Sequence, residues 1–309
     1  MGLAEAVGGD IAHKRVEPRA PWNLIPANWA LPPLGALRAG CDTLSPPWPD
    51  LVISCGRRVV GFALAIKRAS GLRARAVHVQ DPLIDPGPFD LVAAPAHDDV
   101  SGPNVIATQG ALHRVTKEKL EEAAREFASA VSDLPRPLVA VLIGGSNRRY
   151  RMTEASSRKL GANLASLCRM HGAGLAITAS RRTSEANTAL LKACLDGLPA
   201  RIWDGGGRNP YFGYLALADA IVVTEDSVSM TSEACATGKP VFIAALEGGG
   251  DRFRRFHASF RAAGMTRPFE GRLERWNYVP PDDTARVANA VRALLDQGRA
   301  NLASESQGC

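Results

Sequence analysis

Short apolar runs rich in β-branched residues recur along the chain, each closed by glycine or polar residues and most followed by an amphipathic stretch. In the first half, Leu51 to Ser54, Ala76 to Gln80, Asp90 to Ala94 and Val105 to Thr108 read as strands. The first of them leads through the glycine turn CGRRVVG into a helix over Val59 to Ala69. Thr116 stands where an N-cap belongs, before a helix with Leu120, Ala124, Phe127 and Val131 on one face. In the second half Leu138 to Ile143 reads as a strand ending in Gly144-Gly145-Ser146. Thr153 caps a helix with a Leu160, Leu164 and Leu167 stripe, closed by Gly172 and Gly174. Leu175 to Ala179 leads into Ser180-Arg181-Arg182-Thr183 and a helix to about Leu195, and Arg201 to Trp203 is a short strand. Val222 and Val223 belong to a buried strand, followed by the polar loop TEDSVSMTSE and a short helix stopped by Gly238 and Pro240. Val241 to Ala245 is the next apolar run, and a last helix carries Val287, Val291, Leu294 and Leu295 in register.

Strands alternating with helices or long loops predict a parallel α/β sheet. At 309 residues the chain exceeds one core, so two such domains are expected. The segment SDLPRP, Ser132 to Pro137, marks the boundary by its prolines and turn formers. This predicts a first domain over 1–132, a second over 138–283, and a C-terminal helix with a polar, frayed tail over 284–309. Early Pro-rich stretches, Pro18 to Gly35 and Ser45 to Asp50, include Trp22, Trp29 and Trp48, which predicts an ordered, packed loop rather than a linker.

A hydrophobic content of 46% with 22% charged residues is that of a soluble globular chain, and no apolar run is long enough to span a membrane. The first residues have neither the layout of a secretory signal nor that of a mitochondrial presequence. The net charge of +6 favours anionic partners without choosing among them. The six cysteines show no CxxC and no ligand-like spacing to histidine, which suits reduced thiols of an intracellular protein and gives no support to a zinc site.

In open α/β sheets ligands bind beyond the carboxyl ends of the strands. In the second half those ends carry Gly144-Gly145-Ser146, Ser180-Arg181-Arg182-Thr183, Asp204 to Gly207, and Thr224 through Glu233. Glycines admit close approach, arginines offer forked donors for phosphate, and hydroxyls with free helix N–H groups suit a diphosphate. Together they indicate a nucleotide or nucleotide-sugar site; as a plain βαβ connection, the same Ser and Thr would cap a helix. No GxxxxGK[ST], no GxGxxG after a strand and no GxSxG is present. In the first half the strand ends bring Gln80-Asp81, His97-Asp98 and His113, each a candidate general base or a structural hydrogen-bonder. The helix over Gly248 to Gly264 places Phe253, Phe256 and Phe260 on one face and Arg252, Arg254, Arg255 and Arg261 around it. That pattern fits a surface helix with a buried aromatic face; the alternatives are contact with substrate phosphates at the helix start, or peripheral membrane contact through 251–261. No nucleic-acid-binding pattern is present.

Long runs of the chain resemble the mitochondrial fission family, the plant elongated-mitochondria protein and its bacterial relatives. The runs are VQDPLIDPGPFDLVAAPAHDDVSGPNVIATQGALHRV, VLIGGSNRRYRMT, ITASRRT, GRNPYFGYLALADAIVVTEDSVSMTSEACATGKPVFI and RFRRFHASFRAAGMTRPFEG, in that order. The resemblance implies a GT-B-like fold of two Rossmann-like domains facing a cleft. It further implies a metal-independent glycosyltransferase with a nucleotide-diphosphate sugar as donor substrate and no other cofactor. The donor would be gripped by Gly144, Gly145, Ser146, Ser180, Arg181, Arg182, Ser227, Ser229, Met230, Thr231 and Glu233. An acceptor base would come from Asp81, His97, Asp98 or His113, and a lipid-linked acceptor is one option. The resemblance equally implies a second role, since the plant member is an adaptor that recruits a dynamin-related GTPase to mitochondria. Family members open with a strand and a GDxxGxxxQ loop before GLAEA, whereas here Met1-Gly2-Leu3 begins at the helix, so the first βα unit is expected to be missing. The Ala- and Arg-rich composition suggests a bacterial, cytoplasmic protein, peripheral on the inner membrane face if the arginine helix docks there.

Overall fold

The alternating runs become elements in chain order. The first part holds α1 (Gly2–Val7), β1 (Leu51–Cys55), α2 (Val60–Ala69), β2 (Arg75–Val79), β3 (Leu91–Pro95) and β4 (Val105–Thr108). The middle holds α3 (Lys117–Phe127), β5 (Leu138–Gly145), β6 (Tyr150–Arg151), α4 (Glu154–His171), β7 (Gly174–Arg182), α5 (Glu185–Cys194), β8 (Ala200–Ile202) and α6 (Tyr211–Leu217). It continues with β9 (Ala220–Thr224), α7 (Val228–Cys235), β10 (Val241–Ala244), β11 (Glu247–Gly248), α8 (Asp251–Ala262) and β12 (Thr266–Pro268), and α9 (Asp283–Gln307) closes the chain. The computed structural model describes residues 1–25, 29 and 32–307, the side chains of 301–307 aside. Two units emerge, residues 1–112 with 282–309, and residues 113–281.

In the first unit β1-β2-β3-β4 form a four-stranded parallel sheet in chain order. Strand alternation gives each face its own core. Ala76, Val92 and Ala94 pack with Val60, Ala63 and Leu64 of α2. Val77, Leu91 and Ala93 pack with Leu3 of α1 and with Val287, Ala288 and Val291 of α9. The last helix therefore completes this unit rather than forming a separate tail, and the Asp283 carboxylate accepts the N–H groups of Gln109 at 2.7 Å and Gly110 at 3.2 Å. It stays helical to Gln307, in keeping with the helix-forming Ala, Leu, Gln and Glu of that stretch. Of the Pro-rich stretch, residues 26–28, 30 and 31 lie outside the described residues. Within it, Trp29 is exposed, while the ring of Pro32 fills the space left by Gly61 on α2.

The second unit is built on a six-stranded parallel sheet ordered β12-β10-β9-β5-β7-β8. The chain winds outward from β5 to β8 at one edge, then returns beside β5 and winds outward from β9 to β12. This is the doubly wound 3-2-1-4-5-6 order. β5 is buried along its whole length because both faces are covered, which is why it reads as a continuous apolar run. Val139, Val141 and Ile143 face Leu160, Leu164 and Leu167 of α4, and Leu138, Ala140 and Leu142 face the cluster of Tyr214, Leu215, Phe256 and Phe260.

The unit boundary falls between Leu112 and His113 instead of at Ser132–Pro137. Three contacts explain the shift. Val115 and Val131 join the core of the second unit. Gly213 of α6 sits so close to α3 that a Cβ there would lie 2.5 Å from the Cβ of Phe127. The Arg201 guanidinium holds the Asp133 carboxylate at 2.7 Å and also bonds the Ala130 carbonyl. The prolines therefore connect α3 to β5 inside one unit. Two local expectations also change. Gly174 opens β7 instead of ending α4, and β7 extends through Ser180, Arg181 and Arg182 because Gly145 of β5 pairs with Arg182 across an irregularity in register.

Candidate functional site

In a doubly wound sheet the crevice outside the strand ends opens where the order reverses, here between β5 and β9. At that point Thr224, the last residue of β9, accepts the Gly144 N–H at 2.8 Å and donates its hydroxyl to Asp226 Oδ1 at 2.7 Å. The Asp226 side chain is fully buried, and its Oδ2 pairs with Arg182 Nη1 at 2.8 Å while the arginine stays 39% exposed. Burial raises the Asp226 carboxyl above its ordinary range, opposed by the Thr224 hydrogen bond and the Arg182 charge. The two glycines of β5 follow from this packing. A Cβ at Gly144 would lie 2.2 Å from Asp226 Oδ2, and Gly145, at φ +114°, would place one 2.4 Å from the Arg182 carbonyl. Their first demand is close approach of the protein to itself.

Most of the predicted hydroxyls are already engaged. The Ser180 hydroxyl donates to the Gly144 carbonyl and accepts from Arg182 N at 3.1 Å, and Thr183 donates to the same carbonyl at 3.1 Å. Ser146 Oγ accepts from Met152 N at 3.0 Å. Ser227 caps α7 by accepting from Met230 N at 3.2 Å, Met230 packs against the core, and Thr231 is fully buried. Arg181 and Ser229 are exposed, as is Ser146. Beside Ser229, the first-turn N–H groups of α7 at Val228 and Ser229 have no intrahelical acceptor. Among the predicted donor-site residues, then, Arg181, Arg182, Ser229 and the start of α7 present polar groups at the carboxyl edge.

Glu233, one turn further along α7, accepts the Tyr211 hydroxyl at 2.5 Å. Burial raises the Glu233 carboxyl, while Tyr211 and the Arg114 charge hold it down. Burial and the adjoining carboxylate push the Tyr211 hydroxyl far above its ordinary value, so it remains a donor. Tyr211 and Asp226 were not singled out from sequence, nor was Asn147. The Asn147 side chain accepts from Arg149 N at 2.7 Å and Tyr150 N at 2.9 Å, and donates to the Asp226 carbonyl at 3.2 Å. Asp226 lies inside the quoted loop, and an acid two residues past a buried strand was the signal for it.

The arginine helix takes the buried-aromatic form. Phe256 and Phe260 are fully buried, Phe253 packs edge-on against Tyr150 at 5.0 Å, and Arg252, Arg254, Arg255 and Arg261 are exposed. His257 on the same helix is buried, with Nε2 at 2.8 Å from the Glu225 carbonyl.

The first-half candidates separate. Asp81 Oδ1 accepts Leu83 N at 2.8 Å, a turn-forming role. His97 and Asp98 form a buried pair in the turn after β3, with Nε2 to Oδ1 at 3.4 Å. His113 belongs to the other unit. Sequence reasoning passed over His78, which is fully buried in β2, accepts or donates to Ser54 Oγ at 2.8 Å through Nδ1, and leans on the Phe89 ring. Burial, partly offset by Asp81, lowers the His78 imidazole to about 4. Among the described residues no group of three His, Cys, Asp or Glu side chains is placed to hold a metal ion, and no helix is long and apolar enough to cross a membrane.

Two parallel α/β units, one of them doubly wound with its polar groups at the switch point, make a GT-B-like fold. The structure is similar to the UDP-GlcNAc 2-epimerase of Methanocaldococcus jannaschii, solved in complex with UDP-GlcNAc and UDP, with a TM-score of 0.51 at 14% identity over 79% of this chain and 75% of that one. The sequence model of the family described as Mitochondrial fission ELM1 matches residues 1–295, and the chain belongs to that family. The Mitochondrial fission protein ELM1 of Arabidopsis thaliana is 32% identical over 84% of this chain and 67% of its own length. An uncharacterized protein of Rickettsia prowazekii is 25% identical over 80% of each.

Proposed function

We propose that the carboxyl edge of the 113–281 sheet binds a nucleoside-diphosphate sugar and that the protein is a metal-independent glycosyltransferase. The observation that carries this reading is Arg182, held half-exposed by the buried Asp226 at the switch point, next to the start of α7. Arg181, Arg182 and the N–H groups of Val228 and Ser229 would stabilise the departing diphosphate, and Glu233 would take ribose hydroxyls. In the reaction an acceptor hydroxyl attacks the anomeric carbon, and the bond from that carbon to the diphosphate oxygen breaks with its electron pair leaving on the nucleotide. The hydroxyl proton passes to a base, for which Asp81, His97, Asp98 and His113 are the candidates. The fold likeness to an enzyme solved with UDP-GlcNAc and UDP supports the donor class. A lipid-linked acceptor, with docking on the inner membrane face through the exposed arginines of α8, fits the same scheme.

The 32% identity to a protein named for mitochondrial fission favours a second reading, an adaptor that keeps the fold and works through its surface. Turnover separates the two. Incubating the protein with UDP-, GDP- and ADP-sugars and a bacterial lipid extract should release one nucleoside diphosphate faster than the sugar nucleotide hydrolyses alone. Release at the background rate with every donor would leave the adaptor.

A further inference from the structure

Three constraints converge on the Tyr211 hydroxyl. The Asn209 side chain caps the helix start by accepting Tyr211 N at 3.0 Å, and Pro210 restricts the preceding backbone. Two residues on, Gly213 lets α6 close onto Phe127, which fixes the height of the helix. The Tyr211 ring then lies edge-on to Phe212 at 5.7 Å, and its hydroxyl meets Glu233 Oε2 at 2.5 Å. A hydrogen bond this short to a carboxylate is of the strong, charge-assisted kind. It engages one oxygen of Glu233, and the Arg114 charge also acts on the carboxylate.

Resting on the nucleotide-sugar reading above, we infer that Tyr211 is a positioning residue: it holds the Glu233 carboxylate in one rotamer so that its second oxygen meets a ribose hydroxyl. Tyr211 itself touches no ligand. A glutamate on an eight-residue helix has three side-chain torsions to fix, and a preset rotamer removes that ordering cost from binding. The preference for ribose over a sugar lacking its hydroxyls therefore depends on a residue outside the ligand's reach.

The test compares UDP, GDP and ADP with their 2′,3′-dideoxy forms, by calorimetry on the full chain. The wild type should bind one ribonucleotide about tenfold or more tightly than its dideoxy form, the scale of a hydrogen bond to a charged group. Tyr211→Phe removes one oxygen and should cut that ratio to about threefold or less, by weakening the ribonucleotide and leaving the dideoxy form unchanged. Glu233→Gln, which keeps the shape, should narrow the ratio as well. An unchanged ratio in Tyr211→Phe, or an equal loss for both sugars, would overturn the positioning role while the donor reading stands. Absence of binding to the wild type would overturn both.

Discussion

Replacing Gly144 by alanine would put a methyl carbon 2.2 Å from Asp226 Oδ2 and 2.3 Å from Oδ1. The carboxylate has nowhere to go, because its side chain is fully buried and is held by Thr224 at 2.7 Å and Arg182 at 2.8 Å. Overpacking of a tight site costs about 1–3 kcal/mol. Dislodging the carboxylate from partners that include a charged group adds about 1.5–3 kcal/mol, taken at the low end because Arg182 can reach water. Gly144→Ala should therefore destabilise the second unit by about 2.5–4.5 kcal/mol. Denaturant unfolding followed by fluorescence measures this, and a double-mutant cycle identifies the cause. On an Asp226→Gly background the clashing group is gone, so Gly144→Ala should cost less than about 1 kcal/mol, a coupling of roughly 1.5 kcal/mol or more. Costs that simply add, within about 0.5 kcal/mol, would show that Gly144 is not selected by the carboxylate and would refute the packing argument.

Other outcomes follow from the same geometry. His78 has a folded pKa of about 4 against an ordinary 6.5, so between those pH values the unfolded chain binds more protons. Stability should then fall on acidification through that window, by up to about 3 kcal/mol, in denaturation midpoints that flatten in His78→Gln. Lys239 donates to the Leu215 carbonyl at 2.7 Å, and burial, against the opposing Asp219 charge, lowers its ammonium to about 8 from 10.5. Between those values the unfolded chain again binds more protons, so stability should rise with pH there, and Lys239→Met should remove the rise. Phe256→Ala empties a fully buried site and should cost about 3–5 kcal/mol by chemical denaturation. Ala258→Ser, on the exposed side of the same helix, should shift stability by no more than about 0.5 kcal/mol in the same assay.

Much of the second unit was legible in the chain. β5, β9 and β10 are buried on both faces and so appear as unbroken apolar runs, and Thr116, Thr153 and Gly172 announced their helix ends by cap chemistry. The unit boundary was not legible, because SDLPRP has the composition of a linker and its true role depends on Gly213 meeting Phe127 across 86 positions of sequence, counting from 127 to 213. Nor could α6 be read, a seven-residue helix started by Asn209 and Pro210 and fixed by tertiary contact. For the site, the strand-end argument located the loops but not the division of labour within them. Glycines and hydroxyls that look like ligand contacts are spent on the protein itself, Gly144 on Asp226 and Ser180 on the Gly144 carbonyl. Asp226 and Tyr211 act through partners 44 and 22 positions away, from 182 to 226 and from 211 to 233, and such pairings become visible when the sheet order is known.

Calorimetric titration of the full chain with UDP, GDP, ADP, CMP and dTDP, with Arg182→Ala run in parallel, decides whether the carboxyl edge of the 113–281 sheet binds a nucleotide. Saturable binding of one nucleotide at one site is expected, weakened about tenfold or more by the substitution, on the scale of a lost hydrogen bond between charged groups. Heats that stay at the level of dilution for all five nucleotides would contradict it.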